Sequence, residues 1–456
     1  MSLALTNDTK LPEVVPPLTR REATDEALRC YYCYDAPCIT GCPTRIDIPR
    51  FIHQIATGDL SQAARTIMDA NILGATCARI CPTEALCEAQ CVRVQDSRAV
   101  SIGRLQRVAM DHAMDHAMEH GTPALPQLEE GRGRVAVIGA GPAGMSAAAH
   151  LARRGYAVEI FEQKEEGGGL DTYGIVSYRE PMRVSLFEVE TVRKLGVKFH
   201  FGRKIDALQD FRTLQEQYDA IVVAIGMGKV PKWGIPGEDL PGVYDALDLV
   251  EQTKTRPLSD ITLGPHVIVV GAGNTAVDAA TCAKRLGASD VSILYRRGEA
   301  AMPAYRYEYE FAKQDGVIYR WWTMPIAIEG ASRVEAVRCV KTQVRTGDPS
   351  DRQSPLDIIP ESEFVLPADT IILAIGQEKN AGIWQMIGAA THRGRVVVNE
   401  STYETSIKNV YAVGDCLAPF GEAMVVQAVA DGKMAAQAIH ERLRKTMAPQ
   451  KGEKHG

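Results

Sequence analysis

Two segments of this chain repeat one pattern: a short run of β-branched residues leads into closely spaced glycines and then into a helical stretch. The first segment spans residues 134–144, and the second spans residues 267–276, where alanine replaces the third glycine. The positions are Gly139, Gly141, Pro142, Ala143 and Gly144 in the first segment and Gly271, Gly273 and Ala276 in the second. Such glycines permit a tight turn and bring a phosphate close to a helix N-terminus. The sequence therefore predicts two dinucleotide-binding halves, although an isolated motif of this kind can also be a plain structural turn.

The wider pattern after residue 134 agrees with this prediction. β-branched runs at 135–139, 157–162, 220–226, 267–273, 291–297 and 370–376 alternate with helical segments. This alternation is typical of a parallel sheet covered by helices on both faces. We therefore expect an α/β protein with two doubly wound Rossmann-like domains.

Acidic residues at two strand ends distinguish the first site. Glu162 ends the strand after the glycine turn, where an acid bonds a ribose hydroxyl. Gly414 and Asp415 directly follow an apolar run, and such an aspartate can accept a hydrogen bond from the ribityl chain of a flavin; alternatively, it is a turn residue. Because these features occur together, we expect FAD at the first site, with the helix from about Ala423 directed at the flavin ring.

Basic residues follow the corresponding strand of the second site. That strand ends in Tyr295, Arg296 and Arg297, with no acid at its tip. Two arginines suit a 2′-phosphate, whereas an acid suits a ribose hydroxyl. The alternative is a solvated arginine pair. The pattern favours NADPH over NADH.

Eight of the eleven cysteines lie between Cys30 and Cys91. They form the groups Cys30-x2-Cys33-x4-Cys38-x3-Cys42-Pro43 and Cys77-x3-Cys81-Pro82 … Cys87-x3-Cys91. This spacing is close to ferredoxin-type ligation. Structural zinc also favours C-x2-C pairs, but it does not account for the Cys-Pro endings. The sequence therefore predicts two [4Fe–4S] clusters, while the three remaining cysteines are expected to be core thiols.

Composition limits the possible partners. The net charge is -6, and no basic stripe indicates nucleic-acid binding. No apolar run approaches the roughly 20 residues of a membrane-spanning helix. The first ten residues lack the features of a secretory signal, so a cytoplasmic location is expected.

The expected domain limits follow from the positions of the cysteine groups, the two glycine turns and the alternation of strands and helices. They are 1–125 for a helical iron–sulfur domain, 126–257 and 373–456 for the two parts of a discontinuous FAD-binding domain, and 258–372 for the NAD(P)H-binding domain. The polar stretch 121–134 is expected to be a linker, and residues 442–456 a frayed tail. In the N-terminal domain, Asp47 is expected to cap a helix over 49–56.

Three motifs carry a resemblance to a known family. The segments RCYYCYDAPCITGCPTRIDIPRFI, LGATCARICPTEALCEAQC and SIGRLQR resemble the N-terminal half of dihydropyrimidine dehydrogenases. They are most similar to the small flavoprotein subunit of the two-subunit bacterial enzyme. A wider similarity extends to the small subunit of glutamate synthase. The resemblance covers the chain from about residue 20 to residue 440.

The resemblance implies a ligand set for each cluster. The first cluster would be held by Cys30, Cys33, Cys38 and Cys91, and the second by Cys42, Cys81, Cys87 and Gln106. Gln106 ends the segment that begins at Gly103, and the loop before that segment is one residue shorter than in the family. Cys77 would then stay uncoordinated, although spacing alone makes it a candidate ligand.

The resemblance also implies nucleotide-binding residues. Those at the FAD are Gly169, Leu170, Arg179, Gly414, Asp415, Ala423, Met424 and Val425, and those at NADPH or NADH are Asn274, Thr275, Ala276, Arg296 and Arg297. A third basic residue that some relatives carry is missing from 300–304, which weakens the preference for NADPH.

The implied activity is that of an NAD(P)H-dependent oxidoreductase that works in pyrimidine degradation. Hydride transfer to a flavin needs positioning rather than an acid–base residue, so no catalytic side chain is expected. Electrons would pass to a partner subunit that contains FMN and iron–sulfur clusters and reduces the pyrimidine. The alternative is electron input to the large subunit of a glutamate synthase.

Overall fold

The computed structural model describes residues 11–121, 125–129, 131–417 and 423–447. The described chain forms two compact units. The larger unit comprises Val14–Thr172, Met182–Met227 and the chain from Lys379. The smaller unit comprises the described residues up to Glu13, together with Tyr173–Pro181 and Gly228–Glu378. Residues 122–124 and 130 of the predicted linker, and 448–456 of the predicted tail, lie outside the described residues.

Helices dominate the chain up to His120. They are α1 Arg20–Ala27, α2 Pro37–Gly41, α3 Ile48–Ala56, α4 Leu60–Ala70, α5 Gly74–Ile80 and α6 Ile102–His120. The predicted capping of α3 is confirmed, because the Asp47 carboxylate accepts a hydrogen bond from the backbone N–H of Arg50 at 3.2 Å. Phe51, Ile52 and Ile55 of this helix are buried on one face, in the core of the larger unit.

Strands and helices alternate from Arg134 onward. The strands are β1 Arg134–Ile138, β2 Ala157–Phe161, β3 Lys198–His200, β4 Ala220–Val223, β5 Val243–Asp245, β6 His266–Val270, β7 Asp290–Tyr295, β8 Ile318–Trp321, β9 Thr323–Glu329, β10 Ala336–Val344, β11 Leu356–Ile358, β12 Phe364–Pro367, β13 Thr370–Leu373, β14 Thr391–His392, β15 Arg395–Val396 and β16 Val410–Ala412. The helices are α7 Pro142–Ala152, α8 Leu170–Tyr173, α9 Met182–Lys194, α10 Leu208–Gln217, α11 Ala246–Thr255, α12 Asn274–Arg285, α13 Arg306–Gln314, α14 Ala381–Ile387 and α15 Val425–Met447.

The larger unit contains a five-stranded parallel sheet in the order β16-β4-β1-β2-β3. Strand β16 comes from the C-terminal part of the chain and pairs with β4, so the domain built on the first glycine turn is discontinuous, as predicted. Helix α15 lies against α7, where the Ser146 hydroxyl donates to the carbonyl of Val429 at 2.7 Å.

The smaller unit contains a second five-stranded parallel sheet, in the order β5-β13-β6-β7-β8. An antiparallel sheet formed by β9 to β12 accompanies it. The predicted fold class is therefore confirmed: a helical N-terminal domain is followed by two doubly wound Rossmann-like halves. Among the described residues, no helix is long and apolar enough to cross a membrane.

The prediction of a frayed tail from residue 442 is wrong for residues 442–447. Helix α15 continues to Met447. Leu443 is buried because it extends the apolar stripe of Ala436 and Ile439, and the Arg442 guanidinium donates to the carbonyl of Asp219 at 2.7 Å. Because charged residues flank Leu443 on both sides, the sequence pattern did not reveal that this residue is buried.

Candidate functional site

Two glycines of the first glycine turn have no space for a side chain. Gly139 has a φ of +103°, and a Cβ there would lie 2.4 Å from the carbonyl oxygen of Ala224. A Cβ on Gly144 would lie 2.1 Å from the carbonyl oxygen of Gly139. Helix α7 begins at Pro142, and its N-cap is Gly141, which has no side chain to cap the helix. The helix N-terminus is therefore suited to an anionic group such as a pyrophosphate.

Glu162 is bound to this turn. It is buried, its Oε2 accepts from the backbone N–H of Ala140 at 2.7 Å, and its Oε1 accepts from that of Lys164 at 2.8 Å. The loop before Leu170 lies on the same turn, since a Cβ on Gly169 would lie 2.8 Å from the Cα of Gly141. The structure therefore brings the predicted acid and the predicted glycine loop to one place.

The C-terminal motif reaches the same helix. Gly414 has a φ of +78°, and a Cβ there would lie 3.0 Å from the Cβ of Ala143 on α7. Burial raises the pKa of the adjacent Asp415, with Arg395 opposing and Asp431 reinforcing the shift. The remaining predicted residues, Ala423, Met424 and Val425, lie at the start of α15. These contacts fit a flavin nucleotide, because they leave backbone groups and an acid around a cradle of small residues.

The second glycine turn in the smaller unit repeats the geometry of the first. Gly271 has a φ of +125°, and a Cβ there would lie 2.2 Å from the carbonyl oxygen of Ala374. Gly273 is the N-cap of α12, and Ala276 is fully buried. The Asn274 amide oxygen accepts from the backbone N–H of Tyr305 at 3.0 Å. Thr275 follows on the first turn of α12 and is half-buried.

The two arginines after β7 have different environments. The side chain of Arg296 is exposed, while Arg297 is only 6% exposed. The Arg297 guanidinium donates to the carbonyl of Ser354 at 2.7 Å and to that of Asp351 at 3.4 Å. Arg296 is thus available to a ligand, whereas Arg297 holds a loop of its own unit. Sequence reasoning treated them as an equivalent pair.

Arg179 lies in the smaller unit. Its guanidinium forms ion pairs with Asp278 of α12 at 2.9 Å and with Glu308 of α13 at 2.7 Å. Burial alone lowers the pKa of Arg179, but the two carboxylates outweigh it and raise that pKa. The Lys254 ammonium donates to the carbonyls of Ile175 and Glu180 on the same segment. Sequence reasoning missed these partners. Asp278 is the one acid in a largely apolar helix, whereas Glu308 lies among other charged residues of α13 and gives no such signal.

The four cysteines expected at the first cluster come together. Cys30, Cys33, Cys38 and Cys91 line one pocket, with Tyr31 and Arg93 at its wall. Burial raises the pKa of Cys38 to about 12, and the neighbouring Cys30 and Cys91 add to the shift. Bound iron would overcome this resistance of the thiols to ionisation, because coordinated thiols are deprotonated. The residues therefore fit a cluster held by four thiolates.

The other four cysteines between Cys30 and Cys91 lie in two pairs, Cys42 with Cys87 and Cys77 with Cys81. Burial and then the nearby Cys42 raise the pKa of Cys87. A hydrogen bond with Cys81, followed by burial, raises the pKa of Cys77 well above its usual value. Gln106 is 7% exposed, and its Nε2 donates at 2.8 Å to the carbonyl of Gly74, the first residue of α5.

Cys81 directly follows α5, so Gln106 contacts the helix that leads to this cysteine. The assignment of Cys42, Cys81, Cys87 and Gln106 to one cluster stays a prediction. Within the described ranges, no three His, Cys, Asp or Glu side chains close around a single ion position.

Two family models match the chain. Residues 7–118 match a family described as dihydropyrimidine dehydrogenase domain II, 4Fe-4S cluster. Residues 133–437 match the pyridine nucleotide-disulphide oxidoreductases.

Individual proteins resemble the chain over most of its length. It is 33% identical to the glutamate synthase [NADPH] small chain of Halomonas elongata over 449 residues, which are 96% of this chain and 94% of that one. It is also 33% identical to the NAD-dependent dihydropyrimidine dehydrogenase subunit PreT of Escherichia coli over 433 residues, covering 95% and 97% of the two chains.

A solved structure shares the nucleotide-binding fold. FprA of Mycobacterium tuberculosis in complex with NADPH superposes with a TM-score of 0.56 at 20% identity, covering 69% of this chain and 85% of that one.

By the two family models and the two relatives at 33% identity, the chain belongs to the family of NAD(P)H-dependent FAD and iron–sulfur oxidoreductases that includes glutamate synthase small chains and this dihydropyrimidine dehydrogenase subunit.

Proposed function

We propose that this chain is the electron-input subunit of a dihydropyrimidine dehydrogenase. It passes electrons from NAD(P)H through FAD and two [4Fe–4S] clusters to an FMN-containing partner subunit, which reduces uracil or thymine. The observation that carries this proposal is the burial of Gln106 against α5. Its amide nitrogen is bonded to Gly74, which leaves the amide oxygen as the atom able to ligate iron.

The chain's own residues bind and orient the cofactors. The N-terminus of α7 and Glu162 hold the nucleotide of FAD, while the N-terminus of α12 and Arg296 hold NAD(P)H. The pocket of Cys30, Cys33, Cys38 and Cys91 holds the first cluster. When bound, FAD would supply the link between two-electron hydride chemistry at the nicotinamide and one-electron transfer to the clusters.

Electron input to a glutamate synthase is the second candidate function. The small chain of that enzyme matches this chain at the same identity and over a similar length as the pyrimidine enzyme's subunit. Two features of this sequence favour the pyrimidine enzyme: the Gly103–Gln106 segment and the stretch CYDAPC at 33–38.

An anaerobic assay distinguishes these functions. The purified chain is expected to reduce artificial electron acceptors with NADH or NADPH and to leave uracil and thymine unchanged. Uracil reduction is expected only after addition of the FMN-containing protein that co-purifies with the chain. Uracil turnover by the chain alone, or co-purification with a glutaminase-bearing large subunit, would overturn the proposal.

A further inference from the structure

Two charged side chains of the larger unit, one fully buried and one half-buried, reach from helices α9 and α15 to the cysteine-bearing segments. The first is Glu188 of α9, which is fully buried. Its Oε1 accepts from the backbone N–H groups of Ala75 at 2.7 Å and Thr76 at 3.0 Å, and its Oε2 accepts from the Thr76 hydroxyl at 2.6 Å. Three donors on one carboxyl favour its ionised form. Glu188 therefore binds the first turn of α5, which leads to Cys81.

The second is Lys433 of α15. Its ammonium donates to the carbonyl of Thr44 at 3.0 Å and to that of Ala70 at 3.3 Å. Burial lowers the pKa of Lys433, and the nearby Cys42 opposes this shift. Thr44 is itself buried, and its hydroxyl lies 3.2 Å from the sulfur of Cys42. Lys433 therefore binds the turn that follows Cys42.

We propose that Glu188 and Lys433 are positioning residues that fasten the two cysteine segments of the second cluster to helices α9 and α15, and that their opposite charges set the reduction potential of that cluster. This inference rests on the proposed function, because it takes Cys42, Cys81 and Cys87 as ligands of one cluster.

The charges of Glu188 and Lys433 are expected to act on the reduction potential in opposite directions. A negative charge near a cluster disfavours the arriving electron and a positive charge favours it, because the interior screens charge weakly. Packing and hydrogen bonding alone would not require charges, since neutral amide or hydroxyl side chains can also accept or donate at such positions. A purely structural role therefore predicts no opposite effects of the two side chains on the potential.

The test is an EPR-monitored redox titration of the holoprotein. In Glu188→Gln, the midpoint potential of the second cluster is expected to rise, and in Lys433→Met it is expected to fall. The first cluster should keep its potential in both variants. Matched controls are Glu190→Gln on α9, where Glu190 pairs with Arg193 and Lys194 at the surface, and Lys445→Met on the exposed face of α15. Both controls should leave both potentials unchanged.

Other outcomes are equally decisive. Selective loss of the second cluster's signal, restored by Glu188→Asp or Lys433→Arg, would support the fastening role. Shifts in the same direction, unchanged potentials at full iron content, or equal loss of both signals would overturn the inference. The titration needs no partner and no pyrimidine, so a failure of the proposed substrate appears separately, as a negative uracil assay with normal potential shifts.

Discussion

The carboxylate of Glu162 accepts a hydrogen bond from the backbone N–H of Ala140 at 2.7 Å, so the acid that follows β2 is tied to the glycine turn that follows β1. The same carboxylate also accepts from Lys164 N–H. Strand pairing of β1 with β2 brings both ends to one edge of the parallel sheet. We therefore expect flavin binding and local folding to be coupled through this one side chain.

Replacing this acid should weaken both functions. In Glu162→Gln, the side-chain NH2 group would replace one carboxylate oxygen and face one of the two backbone N–H groups, so that two donors would oppose each other. The free energy of unfolding is expected to fall by about 1–3 kcal/mol. The FAD content per chain should fall as well, measured by absorbance of the released flavin. Glu165→Gln, at an exposed position three residues on, should retain full FAD content and stability. A Glu162→Gln protein with normal flavin content would contradict this assignment.

The two arginines after β7 should respond differently to substitution. Arg296→Ala is expected to reduce kcat/KM for NADPH by about 10- to 100-fold, while kcat/KM for NADH stays near its original value, because only a 2′-phosphate needs the guanidinium. Arg297→Ala should lower stability and affect both nucleotides alike, since it removes hydrogen bonds to the loop at Ser354. Steady-state kinetics with both nucleotides check this. A change in nucleotide preference caused by Arg297→Ala alone would reverse the assignment.

A buried histidine on α7 should make stability depend on pH. Burial lowers the pKa of His150 to about 3, and Lys433, Arg154 and Arg153 add to the shift. Between the unfolded pKa of 6.5 and the folded value, only the unfolded chain binds the proton. The free energy of unfolding should therefore fall as pH decreases below 6.5, by up to about 1.4 kcal/mol per pH unit.

Urea unfolding at pH 7.5 and pH 5.5 measures this dependence. His150→Leu should show a smaller loss of stability between the two pH values than the unsubstituted protein. His116→Leu, at an exposed position on α6, should keep the original slope. Identical slopes for His150→Leu and the unsubstituted protein would show that His150 is not the group responsible.

Local patterns were enough to predict much of this fold. The two glycine turns, the strands that precede them and the Asp47 cap depend on neighbouring residues, so the sequence shows them directly. The grouping of Cys30, Cys33, Cys38 and Cys91 came from resemblance, and these residues do line one pocket. Spacing alone gave no reason to join Cys91 to the first three.

Features that depend on distant partners were not predicted. Strand β5 has only three residues, and it joins the second sheet through β13, more than a hundred residues later. Glu188 looks like an ordinary helix residue, yet its partners lie 112 and 113 positions earlier. The burial of Arg297 likewise depends on the loop at 351–354. The contacts of Glu188 and Arg297 leave no periodic signal, because one side chain makes each of them, and the pairing of β5 is made by the backbone of a strand too short to show a pattern.

The most direct test of the central claim is iron analysis with EPR of the NAD(P)H-reduced, anaerobically purified chain. Two clusters predict about eight iron atoms and eight sulfides per chain, with two distinguishable reduced signals. Cys33→Ser should remove one signal, Cys81→Ser the other, and Cys339→Ser, at a buried cysteine of the smaller unit, neither. Four or fewer iron atoms, bound zinc in place of iron, or loss of the same signal in Cys33→Ser and Cys81→Ser would contradict the account.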